Sequence, residues 1–329
     1  MIHIKIGKLY LEDNVFLAPM AGVTDKSYRT IIKEIGCGMM FTEMVSAKAL
    51  IQDYRKTHQI ISFEESHRPI GVQLFGNEPD TMALAAIKLS EEYAPEVIDI
   101  NMGCPVPKIV SNNEGSALMK DEKLAHEIVQ AIVESVDIPV TVKIRKGFNK
   151  DHVNAVDFAK SMQDAGASMV AVHGRTRDQY YQGKADWQII KSVKEALDIP
   201  VVGNGDVFSV EDAKKMFEIT NCDGIMVARG VQGNPFLIKR IIHFLKTGEI
   251  MPKPSLDERF STMLNHLRQT VIDKGEYIAI REMRSHIAWY LKGLPNSAAV
   301  KNEVFYQTSE QGMIDIVNSY YKQLKNYDF

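Results

Sequence analysis

The chain has 329 residues, 45% of them hydrophobic and 25% charged, with a formal net charge of −3. This is a globular composition, long enough for one large domain and one small one. The charge argues against a generic polyanion binder while leaving room for a local basic surface. Three cysteines without a C-x-x-C pair argue against a disulfide framework or a metal site. No apolar run approaches the ~20 residues of a membrane span, and MIHIKIGKLYLED lacks the basic head and apolar core of a signal peptide. The expected setting is therefore a reducing cytoplasm.

In chain order, HIKIGKLYLE alternates around Gly7 and predicts a short hairpin. Eight short apolar runs follow: Val15–Met20, Gly38–Met44, Pro69–Phe75, Val97–Met102, Pro139–Arg145, Ser168–His173, Pro200–Gly203 and Gly224–Ala228. Each stops on polar or glycine residues. Helical spacing fills most of the gaps, over Asp25–Gly36, Pro79–Tyr93, Ser116–Val136, His152–Ala165, Asp186–Leu197, Val210–Phe217 and Pro235–Thr247. Near-continuous apolar strands alternating with helices indicate a parallel sheet buried on both faces. Eight of them over roughly 240 residues favour a closed (β/α)8 TIM barrel over an open sheet. Residues 1–246 are read as that barrel, and 247–256, rich in Gly and Pro, as a linker. Residues 257–329 are read as a small helical bundle, with helices at Leu256–Lys274, Tyr277–Lys292 and Glu310–Leu324 and a less regular Ala298–Thr308.

In a parallel barrel the site lies at the C-terminal ends of the strands. Those ends carry Pro19, Met20 and Ala21; Thr42, Glu43 and Met44; Gln73; Asn101 through Cys104; Lys143 and Arg145; His173 and Arg175; Asn204, Gly205 and Asp206; and Ala228, Arg229 and Gly230. Any one of them alone reads as a turn residue or a satisfied core residue, and Cys104 alone as a small semi-buried thiol. All eight ends converging on one mouth is a collective signal. The small, glycine-bearing ends of strands seven and eight suit a phosphate, with Arg229 adding a charge-assisted bond. A lysine aimed into a barrel needs an anion or an electron-rich ring. Lys143 beside Gln73 and His173 would suit a flavin.

With those residues in hand, the sequence resembles the tRNA-dihydrouridine synthases, most closely their bacterial B-type branch. The matching stretches are APMAGVTD at 18–25, FTEMVS at 41–46, VQLFG at 72–76, IDINMGCP at 98–105 and VTVKIR at 140–145. They continue with VHGRT at 172–176, VGNGD at 202–206 and ARGVQGNP at 228–235. The resemblance runs on into the tail through Arg281 to His286 and Trp289 to Gly293. It implies an FMN enzyme that uses NADPH to reduce the C5–C6 bond of uridines in the tRNA D-loop, with no obligatory protein partner. Hydride would pass from the flavin to C6, and Cys104 would donate a proton to C5.

The resemblance also implies flavin contacts at Pro19, Met20, Ala21, Gln73, Lys143, His173, Asn204, Gly205, Asp206, Ala228, Arg229 and Gly230. Asn101, Arg145 and Arg175 become candidates for holding an extruded uracil and its neighbouring phosphates. Arg281, Arg284 and Lys292 become candidates for a positive helical face that grips the RNA, the first two being three apart on one helix. Three alternatives stay open at this stage: a flavin barrel acting on a free pyrimidine, a flavin-dependent RNA-methylating relative, and an RNA-binding chaperone without turnover.

Overall fold

The alternation of inward and outward residues along each short strand dictates how the chain closes. In the computed structural model, which describes residues 3–326, eight parallel strands pair in chain order. They are β1 (Val15–Leu17), β2 (Met39–Phe41), β3 (Ile70–Phe75), β4 (Val97–Met102), β5 (Val140–Asn149), β6 (Met169–Thr176), β7 (Val201–Asn204) and β8 (Gly224–Val227). Ile225 of β8 pairs with Val15 of β1, so the sheet closes on itself as a TIM barrel.

Outward residues such as Val15, Leu17, Ile98, Ile100, Val142 and Val172 pack under the helices in the main core. Inward residues form a separate interior cluster that includes Phe16, Phe41, Val97, Met169 and Met226. A hairpin of Ile4–Ile6 and Leu9–Leu11 turns at Gly7 (φ +56°) and adds Ile4, Ile6 and Leu11 to that cluster. Burying each such aliphatic side chain contributes about 1.5–3 kcal/mol. Above the apolar floor, the interior turns polar. Asp99, Thr141 and Gln73 come first, then Asn101, Lys143, His173 and Asn204, following the registers Gln73–Asp99–Thr141 and Asn101–Lys143.

The helices largely match the sequence pattern. Asp25 caps Lys26–Ile35 by accepting from the Tyr28 N–H, and Gly36 ends that helix in the left-handed region. Three places differ. Ser116–Val136 is a 3-10 turn, Gly115–Lys120, followed by an α-helix, Glu122–Ser135, because Asp121 restarts the chain by accepting from Leu124 N–H. The helix predicted from His152 begins at Ala155, since His152–Val153 folds back antiparallel on the end of β5. After β2 the chain forms two short helices, Ala47–Ile51 and Arg55–Ile61, that the sequence pattern did not mark.

Helix Phe236–Thr247 ends at Gly248, and regular structure resumes at Leu256 behind a Ser255–Glu258 capping box. Four helices follow: Leu256–Lys274, Glu276–Tyr290, Ser297–Tyr306 and Glu310–Asn326. They enclose their own core around Phe260, Met263, Ile287, Val304 and Val317. This bundle docks on the barrel through Lys26–Ile35, where Ser27 Oγ donates to Asp273 and Lys274 pairs with Asp25.

Gly233 lies at the same junction with φ +68°, and a Cβ there would fall 2.2 Å from the Trp289 backbone. Gly233→Ala should therefore loosen the barrel–bundle contact by at least ~2 kcal/mol. Limited proteolysis should then cut between residues 248 and 255 at temperatures where the wild-type chain stays intact.

Candidate active site

The polar end of the barrel interior opens into a cavity of about 340 Å³, within the range of small-ligand sites. It is lined by Pro19, Met20 and Ala21 after β1, Gln73 on β3, Asn101 and Cys104 at the end of β4, and Lys143 and Arg145 on β5. His173 on β6, Asn204 to Asp206 after β7 and Ala228 to Gly230 after β8 complete the wall. With Met44 after β2, all eight strand ends meet around one space.

Cys104 is held by its backbone. Asn101 Oδ1 accepts from the N–H groups of Gly103 (3.1 Å) and Cys104 (2.8 Å), and the Cys104 carbonyl accepts from Ser116 Oγ at 2.8 Å. Gly115, at φ +59°, leaves no room for a side chain, since a Cβ there would stand 3.0 Å from Cys104 Cβ. Burial pushes the thiol above its ordinary pKa, against smaller opposing pulls from the Val106 backbone, Arg145 and Lys143. Cys104 is therefore a protonated thiol at neutral pH.

Lys143 is enclosed by protein except where it faces the cavity, and its Nζ donates to Asn204 Oδ1 at 3.2 Å. Burial first, and Arg145 second, lower its pKa from 10.5 to about 8. His173 is driven well below the usual imidazole range by burial and by the surrounding cations, so it is neutral. Arg175 Nη1 faces His173 Nε2 at 3.4 Å. Because the guanidinium is only a donor, the ring proton resides on Nδ1.

The corner after β7 and β8 is organised by Asp206, which sits at φ +56°. Its Oδ2 accepts from Arg175 Nη2 and from the Ala185 N–H, both at 2.7 Å, and its Oδ1 from Arg229 Nη2 at 3.2 Å. Trp187 Nε1 donates to the Gly205 carbonyl at 3.0 Å, and Gly205 itself lies at φ +119°. The Arg229 guanidinium lies over the rings of Tyr181 (4.8 Å) and Phe208 (5.5 Å).

Some expected residues are placed elsewhere. Arg175 does not line the cavity. The 177–186 loop folds over it, and its donors go to Asp206 and to the carbonyls of Gln182 and Gly183, so it braces the wall. Arg145 does line the cavity, but its Nε and Nη1 bind the carbonyls of Gly103, Thr176 and Tyr180. On the bundle, Arg281 is exposed and stacks 3.5 Å over Tyr277. Arg284 instead turns towards helix Ser297–Tyr306 and donates to the Gln307 carbonyl at 2.8 Å. The two arginines therefore present no common free face. Lys292 is exposed.

The sequence pattern missed Tyr181 and Phe208 in the lining, and Asp99 beneath it. The Tyr180–Tyr181 pair in a polar loop directly after β6 was the available signal. Asp99 could have been found as a charge inside an otherwise apolar strand.

The dihydrouridine synthase (Dus) family description matches residues 16–325. A protein of Rickettsia bellii described as a probable tRNA-dihydrouridine synthase is 43% identical over 324 residues, 98% of this chain and 99% of its own length. The tRNA-dihydrouridine synthase B of Pseudomonas putida is 41% identical, covering 90% of this chain and 87% of its own. Among solved structures, histamine dehydrogenase from Rhizobium sp. 4-9 superposes with a TM-score of 0.59 at 14% identity, over 98% of this chain and 64% of that one. The old yellow enzyme homologue of Zymomonas mobilis gives 0.52 at 12%, over 78% and 95%. At those identities the two structures speak to the fold alone.

The lowered pKa of Lys143 yields a stability prediction. Between about pH 8 and 10.5 the folded chain binds fewer protons than the unfolded one, so this group makes stability rise with pH across that window. Below pH 8 its full burial penalty is present. In protein stripped of ligand, Lys143→Met should raise the unfolding free energy at pH 7 by on the order of 2 kcal/mol. That gain should shrink progressively in denaturant titrations taken from pH 8 towards 10.5.

Proposed function

The chain belongs to the dihydrouridine synthase family, and from that premise we propose that it reduces the C5–C6 double bond of selected D-loop uridines in tRNA. We infer that FMN is its resident cofactor, that NADPH is the reductant and that no obligatory protein partner is needed. The observation that carries this reading is the pairing, in one cavity, of a backbone-clamped protonated thiol with a buried lysine.

The donor set suits a flavin phosphate ester. Lys143 is a buried cation whose recorded partner is a neutral amide, and it would meet the acceptor edge of the isoalloxazine. Gln73 and His173 border the same space. Arg229, half-exposed and steadied by Tyr181 and Phe208, would take the phosphate together with the Asn204–Asp206 and Ala228–Gly230 turns. Bound there, a flavin would supply hydride for uracil C6, with NADPH as its source.

The chain's own contribution is positioning and proton transfer. As hydride adds to C6, negative charge builds on C5 and O4. Cys104 donates its proton to C5, and the thiolate left behind takes a proton from solvent before the next turnover. A thiol pKa raised by burial keeps that proton in place at neutral pH. Asn101 and Arg145, which line the same cavity, would orient the uracil. A stacked uridine cannot enter a barrel mouth, so the base must be extruded. The helical bundle at 257–329 would then hold the RNA by shape and phosphate contacts, Arg281 and Lys292 being its exposed cations among the residues singled out.

Cys104→Ala should keep its flavin and its affinity for tRNA while losing about 10²–10⁴-fold in dihydrouridine formation. Site-resolved mapping on tRNA lacking dihydrouridine, with NADPH as reductant, measures this. Full activity in that variant would remove Cys104 from the proton transfer. No product from the wild-type protein on any tRNA would overturn the assigned reaction.

A further inference from the structure

Beneath the cavity, Asp99, which has no part in the mechanism above, anchors a hydrogen-bond ladder. Asp99 points into the barrel from β4 and is fully buried. The registers place Gln73 of β3 and Thr141 of β5 on either side of it. Its Oδ2 accepts from Gln73 Nε2 and its Oδ1 from Thr141 Oγ1, both at 2.6 Å. Gln73 Oε1 then accepts from Asn101 Nδ2 at 2.8 Å, and Asn101 Oδ1 accepts from the Cys104 N–H at 2.8 Å. The ladder runs without a break from a carboxylate in the barrel floor to the turn that carries the thiol.

The ladder is held from both ends. The Gly103 and Cys104 N–H groups can only donate, so they hold Asn101 with Oδ1 upward and Nδ2 towards Gln73. The Gln73 amide between Asn101 and Asp99 could face either way, and a flip would reverse its donor and acceptor. An ionised carboxylate only accepts, so it compels Gln73 to present Nε2 downward and Oε1 upward, where Oε1 accepts from Asn101 Nδ2. We propose that Asp99 is a positioning residue for proton donation by Cys104, acting through Gln73 and Asn101 to fix the turn that holds the thiol. This rests on the reduction reaction proposed above.

Protonation would remove the lower constraint, since a carboxylic acid can donate to Gln73 Oε1; the flipped Gln73 would then turn Nε2 towards Asn101 Nδ2 and lose the bond that braces Asn101. Burial raises the Asp99 pKa from 3.8 to about 6, against the smaller lowering effects of Thr141, Gln73 and Lys143. The charged group facing it is Lys143 on β5, with neutral His173 on β6 at the level above. The other strands contribute the apolar Phe16, Phe41, Ala171, Val202 and Met226 to the interior.

The test is single-turnover dihydrouridine formation by the flavin-loaded, pre-reduced enzyme on tRNA lacking dihydrouridine, measured from pH 5 to 8. The wild-type rate should fall on the acid side with an apparent pKa near 6. Asp99→Asn, which offers a donor as well as an acceptor, should be slower by about 10–100-fold per bound flavin. It should also lose that acid limb and keep the wild-type KM for tRNA. If that variant does not fold, Thr141→Val removes a bond that stabilises the anion, and it should move the limb to higher pH. A wild-type rate and limb in Asp99→Asn, or an unmoved limb in Thr141→Val, would overturn the inference while leaving the reaction standing. Absence of product from the wild-type enzyme would instead remove the reaction on which it rests.

Discussion

A cation held inside a barrel is the constraint on which the rest of this structure depends. An apolar residue at position 143 would give a more stable interior, because burying an ammonium costs several kcal/mol after relaxation. The chain places Lys143 there with a neutral amide as its recorded partner, and burial depresses its pKa to about 8. Such an arrangement makes physical sense when an anionic or electron-rich group shares the space. The surrounding residues fit that reading: neutral His173, the Asn204–Asp206 turn and Arg229 all border the same cavity. Strain at the site is offset by the outer core of the barrel, whose Val, Ile and Leu side chains are almost wholly buried.

The interior is graded along the barrel axis. Its floor is apolar and plugged by the N-terminal hairpin, its middle carries the Asp99–Gln73–Thr141 rung, and its mouth carries the thiol, the lysine and the histidine. Adjacent polar layers let each reactive group be fixed by the one beneath it. Cys104 is positioned by Asn101, Asn101 by Gln73, and Gln73 by Asp99. The bundle reaches the same region from outside, where Lys274 pairs with Asp25 at the start of the helix that follows the Met20–Ala21 turn. The bundle and the cavity wall are therefore linked through one short segment.

Much of this was legible in the sequence, for identifiable reasons. The eight apolar runs mark the strands because both faces of a parallel sheet are buried. Lys143 and Arg145, two apart on one strand, must share a face. What escaped depended on three-dimensional closure. Arg175 has the same inward parity as His173, yet the 177–186 loop closes over it and Asp206 takes its charge. Arg284 is three residues from Arg281, but helix Ser297–Tyr306 packs against it and the Gln307 carbonyl engages it. Tyr181 and Phe208 sit in loops with no periodicity to report their direction. The α-helix at Glu122 starts late because a local cap at Asp121 outweighs the continuous helical pattern.

Whether tRNA itself is the electron acceptor can be measured directly. Anaerobic enzyme reduced by NADPH would be mixed with intact tRNA lacking dihydrouridine, and separately with uridine monophosphate, while flavin absorbance is followed. The account predicts rapid reoxidation by tRNA alone, with one dihydrouridine appearing for each flavin oxidised. Reoxidation by the free nucleotide as fast as by tRNA, or none by either, would contradict it.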